Sequence, residues 1–208
     1  MLDFACGTCS PWVHFFETHK DLHFFGIDYN KNSIAQAHKL FPQKKDTILL
    51  HDGQKELKNL SYESFDIVTT FSSLEHVVDK RSFLHNMLKY IKKWWFMVIN
   101  YDSGHFRNWS MKDKIFHKAS ELLSFFGIQK RYTKYVQEKE ILTILNDLWV
   151  SVVEKKYFNL FTLKTIHKTI QNNELIHKRY DYELSLNGFS DKKYLESVFT
   201  STVIICQK

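Results

Sequence analysis

Residues 1–10, read together with Asp28, constrain this chain more than any other stretch. An apolar run broken by one acid, Met1-Leu2-Asp3-Phe4-Ala5, leads into the small residues Cys6-Gly7-Thr8-Cys9-Ser10 and then Pro11. That order predicts a strand, a tight turn and a helix start. Small side chains are needed where backbone must come close to a ligand, and Gly7 can take a conformation closed to other residues. A second apolar run, Phe24-Phe25-Gly26-Ile27, ends at Asp28. This acid stands roughly 20 residues beyond the turn, the spacing at which a carboxylate on the next strand meets the ribose of a bound nucleotide. Turn and acid together predict a cofactor site.

The rest of the first half repeats the rhythm. Trp12, Phe15, Phe16 and His19 share one face at helical spacing, and Asn30 opens a second helix that ends before Pro42. Strands are predicted over 47–51, ending at Asp52-Gly53, and over 65–71, whose apolar character on both faces suits a parallel sheet covered by helices. A helix through Phe83, Met87, Leu88 and Ile91 precedes a strand over 94–99 and a loop from Asn100 to His105. Five strands alternating with helices predict a doubly wound α/β sheet, with its ligand outside the carboxyl ends of the strands. Residues 106–138 break the rhythm and are expected to form either a helical lid over an acceptor pocket or a helix that covers one sheet edge. Beyond them, helices are predicted over 138–148 and 164–178, and strands over 150–158 and 199–206.

Length and composition bound the answer. At 208 residues with 44% hydrophobic content, the chain can bury a full core, and one domain over 1–208 is expected. The net charge of +6 permits a nucleic-acid partner without favouring one, because the lysines are scattered as pairs such as Lys44-Lys45 and Lys155-Lys156. Three cysteines, two in one turn, do not make a secreted disulfide framework. Cys6-x-x-Cys9 has no second pair, so packing explains it better than a redox couple or a zinc site. No hydrophobic leader is read ahead of Asp3, and the most apolar run, 94–99, is too short to span a bilayer. A cytoplasmic location and no membrane partner are therefore expected.

The stretches LDFACGTCS and FFGIDYN resemble the class I S-adenosylmethionine-dependent methyltransferases, whose first strand ends in a D-x-G-x-G-x-G-like motif. Ala5 and Cys9 stand where that family usually has glycine. The resemblance implies a mostly parallel, seven-stranded Rossmann-like sheet whose last strand runs antiparallel between its neighbours. That family usually carries a helix or two ahead of the first strand. Here the acceptor is expected to be covered by residues 106–138 or by a second subunit, unless the chain is a minimal form.

By the same resemblance, Asp3 and Gly7 would serve the methionine moiety of S-adenosylmethionine, Asp28 the ribose, and Asp52 and Gly53 the adenine, with Ala5 also among the cofactor-binding residues. Tyr29 would pack on the adenine face, and Ser72 and Ser73, after the fourth strand, would complete the cofactor pocket. Asp3, Asp28, Asp52 and Glu75 are all expected near the carboxyl ends of strands. An acid-lined crevice suits a ligand bearing ammonium and sulfonium groups and repels a pyrophosphate. Methyl transfer needs orientation, desolvation and, for a protonated acceptor, a base. His76 and His105 are the candidates by position. The run SSLEHV resembles the L-E-H-V stretch of small-molecule methyltransferases such as the ubiquinone-pathway enzymes. Glu75-His76 is also similar to the metal-binding E-x-x-E-H of small-RNA 2′-O-methyltransferases, but Ser72 stands where the first glutamate belongs, and no metal is expected. The expected activity is methyl transfer to an O or N atom of a small-molecule acceptor. An RNA or protein acceptor, a non-catalytic cofactor-binding role and a non-methyl use of the sulfonium compound are the alternatives.

Overall fold

A computed structural model describes residues 1–102, 133–160 and 173–208, together with 111, 112, 115, 118 and 119. Seven strands form one sheet: β1 (Leu2–Phe4), β2 (Phe25–Asp28), β3 (Ile48–Leu50), β4 (Phe65–Phe71), β5 (Ile91–Asp102), β6 (Ser151–Leu160) and β7 (Phe199–Gln207). Their order is β3-β2-β1-β4-β5-β7-β6. The strands β1 to β5 pair in parallel, and β7 runs antiparallel between β5 and β6. The chain reverses direction across the sheet at β1, where β2 lies on one side and β4 on the other. Ligands of open α/β sheets bind at the carboxyl side of such a switch point.

Helices cover both faces. On one side α1 (Val13–Thr18) and α2 (Lys31–Leu40) enclose a cluster of Met1, Cys6, Cys9, Phe24, Ile34, Ala37, Phe41 and Ile48, with Trp12 and Phe16 packed against it. On the other, α3 (Lys80–Tyr90) and α4 (Glu138–Asp147) close over the main core, which includes Leu2, Phe4, Ile27, Val68, Phe83, Met87, Met97, Ile99, Ile141 and Ile204. The side chain of Asn30 caps α2 by accepting from the amides of Asn32 and Ser33, and Asp79 caps α3 from Ser82. At Gly26 a Cβ would stand 2.9 Å from Cys6 Sγ, so the strand must be bare there for the turn above it to pack.

Two further helices, α5 (Asn173–Leu186) and α6 (Lys192–Val198), flank β6 and β7. The helix predicted over 164–178 is found from Asn173 onward but runs on to Leu186, and α6 was not expected. The strand predicted over 94–99 is longer at both ends. Ile91, placed on the preceding helix by its spacing, begins it and is followed by Lys92 and Lys93, with Lys92 Nζ on Asp66 Oδ1 at 2.7 Å, and Asn100–Asp102, read as loop, continue it against Ser201–Val203. Of the expected lid, 106–138, residues 133–138 and a few isolated positions are described, and the remainder, with His105, lies outside the described residues. No helix among the described residues is long and apolar enough to cross a membrane.

Candidate active site

The first strand delivers Asp3 and then turns sharply. Ala5, Gly7 and Cys9 all have left-handed backbone, at φ of 58°, 58° and 56°. These are the three alternate positions of the glycine-type motif, and only one of them is glycine. Backbone bonds fix the turn: Cys6 N–H donates to Ile27 O at 2.9 Å, Cys9 N–H to Cys6 O at 3.0 Å, and Trp12 N–H to Cys9 O at 3.0 Å. Cys6 and Cys9 are buried free thiols, and burial together with Cys9 pushes the Cys6 thiol far up.

Asp28 ends β2 and clasps the turn. Its Oδ2 accepts from Gly7 N–H at 2.9 Å and its Oδ1 from Asn30 N–H at 2.7 Å. Each carboxylate oxygen retains a second lone pair for a ligand hydroxyl. Asp3, 2% exposed, accepts from Thr69 Oγ1 and Trp12 Nε1, both at 2.7 Å. Loss of hydration raises its pKa to about 7 against those two donors, and the Asp28 charge adds to the rise. Asp52 follows β3, with Oδ1 accepting from the Gln54 amide at 3.0 Å.

A cavity of about 990 Å³ joins these groups. Its lining includes Asp3, Ala5, Gly7, Asp28, Tyr29, Asp52, Gly53, Ser72, Ser73 and His76, so every expected site residue among those described faces one space. Its size is at the upper end of the range for ligand pockets, roughly 300–1,000 Å³. Tyr29 is 58% exposed at the rim. Gly53 has a packing reason as well, since a Cβ there would stand 2.6 Å from Phe83 Cε2 and 3.0 Å from Phe4 Cδ1.

Ser72 leaves β4 in left-handed backbone, φ 47°, and its hydroxyl donates to Asn100 Oδ1 at 3.2 Å. The Ser73 hydroxyl is tied to Thr70. His76 is exposed at the cavity wall, with Nδ1 3.2 Å from Thr133 Oγ1, and the Lys134 amide donates to Glu75 O at 2.7 Å. Residues 133 and 134 therefore close one side of the mouth. Glu75 departs from expectation: it is 2% exposed and turned away from the cavity, because Leu74–His76 forms a 3-10 turn that puts consecutive side chains on different sides.

Sequence reading missed Trp12 and Asn100. Trp12 sits at apolar helical spacing with Phe15 and Phe16, which disguises its indole N–H. Asn100 was read as loop, yet it is 8% exposed and donates to Ser201 Oγ at 2.6 Å. Among the described residues, no three His, Cys, Asp or Glu side chains are placed to hold a metal.

The family model described as methyltransferase domain matches residues 2–93. No curated protein matches the chain. Solved structures of similar fold include an S-adenosylmethionine-dependent methyltransferase from Archaeoglobus fulgidus, 20% identical over 100% of this chain and 85% of that one, TM-score 0.59. Phosphoethanolamine N-methyltransferase 2 of Haemonchus contortus, in complex with S-adenosyl-L-methionine, is 19% identical over 100% of this chain and 48% of that one, TM-score 0.62. Geranyl diphosphate C-methyltransferase of Streptomyces coelicolor is 10% identical over 99% and 69%, TM-score 0.61. The match to a methyltransferase domain thus lies in residues 2–93, under half of the chain, and the whole chain shares the fold of these S-adenosylmethionine-dependent methyltransferase structures.

Proposed function

We propose that this chain is an S-adenosylmethionine-dependent methyltransferase that moves a methyl group to an O or N atom of a small-molecule acceptor. One observation carries the reading: Asp3, Asp28 and Asp52, from three adjacent strands, line one cavity with the left-handed turn at Gly7. Asp3 also supplies a test of fit. A buried carboxylate pushed up to about pH 7 stands in a place short of positive charge, which an ammonium group would fill. When bound, S-adenosylmethionine supplies a methyl group on a positively charged sulfur.

The chain's own residues do the rest. Asp3 and the Gly7 turn receive the amino-acid end, Asp28 the ribose hydroxyls, and Asp52 with Gly53 and Tyr29 the adenine. Ser72 and Ser73 border the reacting end, and His76, steadied by Thr133, accepts a proton from an O–H or N–H acceptor. Thr133 also borders this end. Transfer to carbon is catalysed by one protein of similar fold and to nitrogen by another, so the accessible histidine favours the proton-bearing acceptor here.

Calorimetry with S-adenosylhomocysteine tests the cofactor reading, with wild type binding and Asp28→Ala weaker by about tenfold or more. A wild type that binds neither this compound nor S-adenosylmethionine overturns it. For turnover on an acceptor panel, His76→Ala is expected to lower kcat by about 10²-fold or more with cofactor affinity unchanged. Equal kcat in the two proteins removes His76 as the base.

A further inference from the structure

Two neutral donors hold the Asp3 carboxylate, one on each oxygen. Thr69, on β4 and 3% exposed, takes Oδ1, and Trp12, from the turn on the opposite side, takes Oδ2, both at 2.7 Å. The Trp12 ring is wedged against Phe15, Phe16, Phe24 and Phe71, with centroids 5.6, 6.4, 5.8 and 5.5 Å away. Its backbone N–H also bonds to Cys9 O, so ring and turn move as one piece. These four aromatic contacts hold the ring with its indole N–H on Asp3, at the edge of the cavity that Trp12 also lines.

We propose that Trp12 is a positioning residue for cofactor binding: with Thr69 it fixes the Asp3 carboxylate in the orientation and charge state that receives the ammonium group of the ligand's amino-acid end. This rests on the cofactor reading above. The reasoning is electrostatic. A carboxylate taken out of water keeps its charge only if donors replace the lost hydration. Among the described residues, the charged and titratable groups facing Asp3 are Asp28, at the end of β2, and the Cys6 thiol in the turn; Asp28 works against ionisation, and the thiol stays neutral. Trp12 and Thr69 are the two groups that oppose the rise. Without Trp12 the acid would hold its proton further into the alkaline range and present a neutral hydroxyl to a cation.

Trp12→Phe keeps an aromatic ring and removes the donor, Thr69→Val removes the other donor at nearly the same shape, and Thr69→Ser restores it. The Asp3 titration is followed without ligand by carboxyl-carbon NMR, assigned with Asp3→Asn, and S-adenosylhomocysteine affinity is measured by calorimetry between about pH 6 and about pH 9. The expected result is a midpoint higher by about one unit in Trp12→Phe and in Thr69→Val, back near wild type in Thr69→Ser. Affinity at about pH 7 falls about tenfold in Trp12→Phe, and the gap narrows to about threefold or less where Asp3 is ionised in both proteins. An unmoved midpoint, or an affinity loss equal at every pH, overturns the proposal and leaves Trp12 as packing alone. Wild type that fails to bind at any pH overturns the cofactor reading and this assignment with it. The ligand-free NMR midpoint tells the two failures apart.

Discussion

Ala5 and Cys9 hold the same left-handed backbone as Gly7, but they do so with side chains attached. Such a conformation costs a non-glycine residue roughly 1–2 kcal/mol, and something must offset it. For Cys9 the offset is visible, since the side chain is wholly buried in the cluster with Phe24, Ile34 and Phe41. Ala5 is half-buried with only a methyl group to pack. Ala5→Gly is therefore expected to change stability by no more than about 1 kcal/mol, strain relief being set against the freer unfolded chain. Cys9→Gly should lose about 1–2 kcal/mol through the void it leaves. Urea unfolding of both variants checks the contrast, and equal losses would refute it. Asp3 gives a pH prediction. Folded Asp3 keeps its proton up to about pH 7, whereas the unfolded chain releases it near 3.8, so the native state binds more protons between those values. Stability must then fall as pH rises through that window, by about 4 kcal/mol when ionisation is complete, and stay low above it. Urea midpoints taken from about pH 5 to about pH 8 should decline in wild type and flatten in Asp3→Asn; an unchanged slope in the variant would refute the assignment. Asp79 acts oppositely, because its bonds to Ser82 hold it below the usual carboxylate range and that contribution fades in acid.

At the level of elements, β6 is the outermost strand on its side of the sheet among the described residues, and Glu183 of α5, with Asn187 just past it, covers its outer edge with side chains. Asn187, just past α5, accepts from the Tyr157 amide at 2.7 Å and donates to the Tyr157 carbonyl at 2.9 Å, imitating one rung of a neighbouring strand. Glu183, 0% exposed, accepts from the amides of Asn159 and Leu160 at 2.9 and 3.0 Å and from Arg179 Nε at 2.9 Å. An unpaired strand edge invites association with another chain. Removing Glu183 would leave two amides and the Nε–H of a buried guanidinium without their acceptor, so Glu183→Ala should cost about 3–5 kcal/mol and Asn187→Ala about 1–3 kcal/mol. Chemical denaturation gives the energies, and light scattering should show the extra association. None of this was legible in the sequence, where Glu183 and Asn187 look like ordinary helix-end polar residues. The first four strands were legible, because each is an apolar run stopped by an acid or small residue at the cavity edge. β5 was only half legible: Lys92 and Lys93 break the apolar pattern at one end and Asn100 at the other, and only pairing with β4 and β7 makes those residues strand. The acids of the site were readable from spacing. Trp12 was not, since an indole that packs and donates at once leaves the periodic signal of packing alone.

Over the whole molecule, the cavity and the stabilising half of the sheet are separated. The parallel strands point their carboxyl ends, with Asp3, Asp28 and Ser72, at the ligand, while the core beneath them is almost entirely apolar. The antiparallel strand lies elsewhere, between β5 and β6, and among the described residues is the sole sheet neighbour of β6. Synthesis therefore produces β6 before the strand it must bond to. Until β7 arrives, the amides of Lys156 and Phe158, turned toward it, have no place in the sheet, whereas β1, β2 and β4 already have one another. In pulsed hydrogen exchange during refolding, Phe4, Ile27 and Val68 should gain protection first, and Lys156 and Phe158 never earlier than Ile204. Early protection in β6 alone would contradict the order. A nascent chain of this topology can thus complete its cavity-bearing half while its other half still waits, open-edged, for a partner yet to be translated.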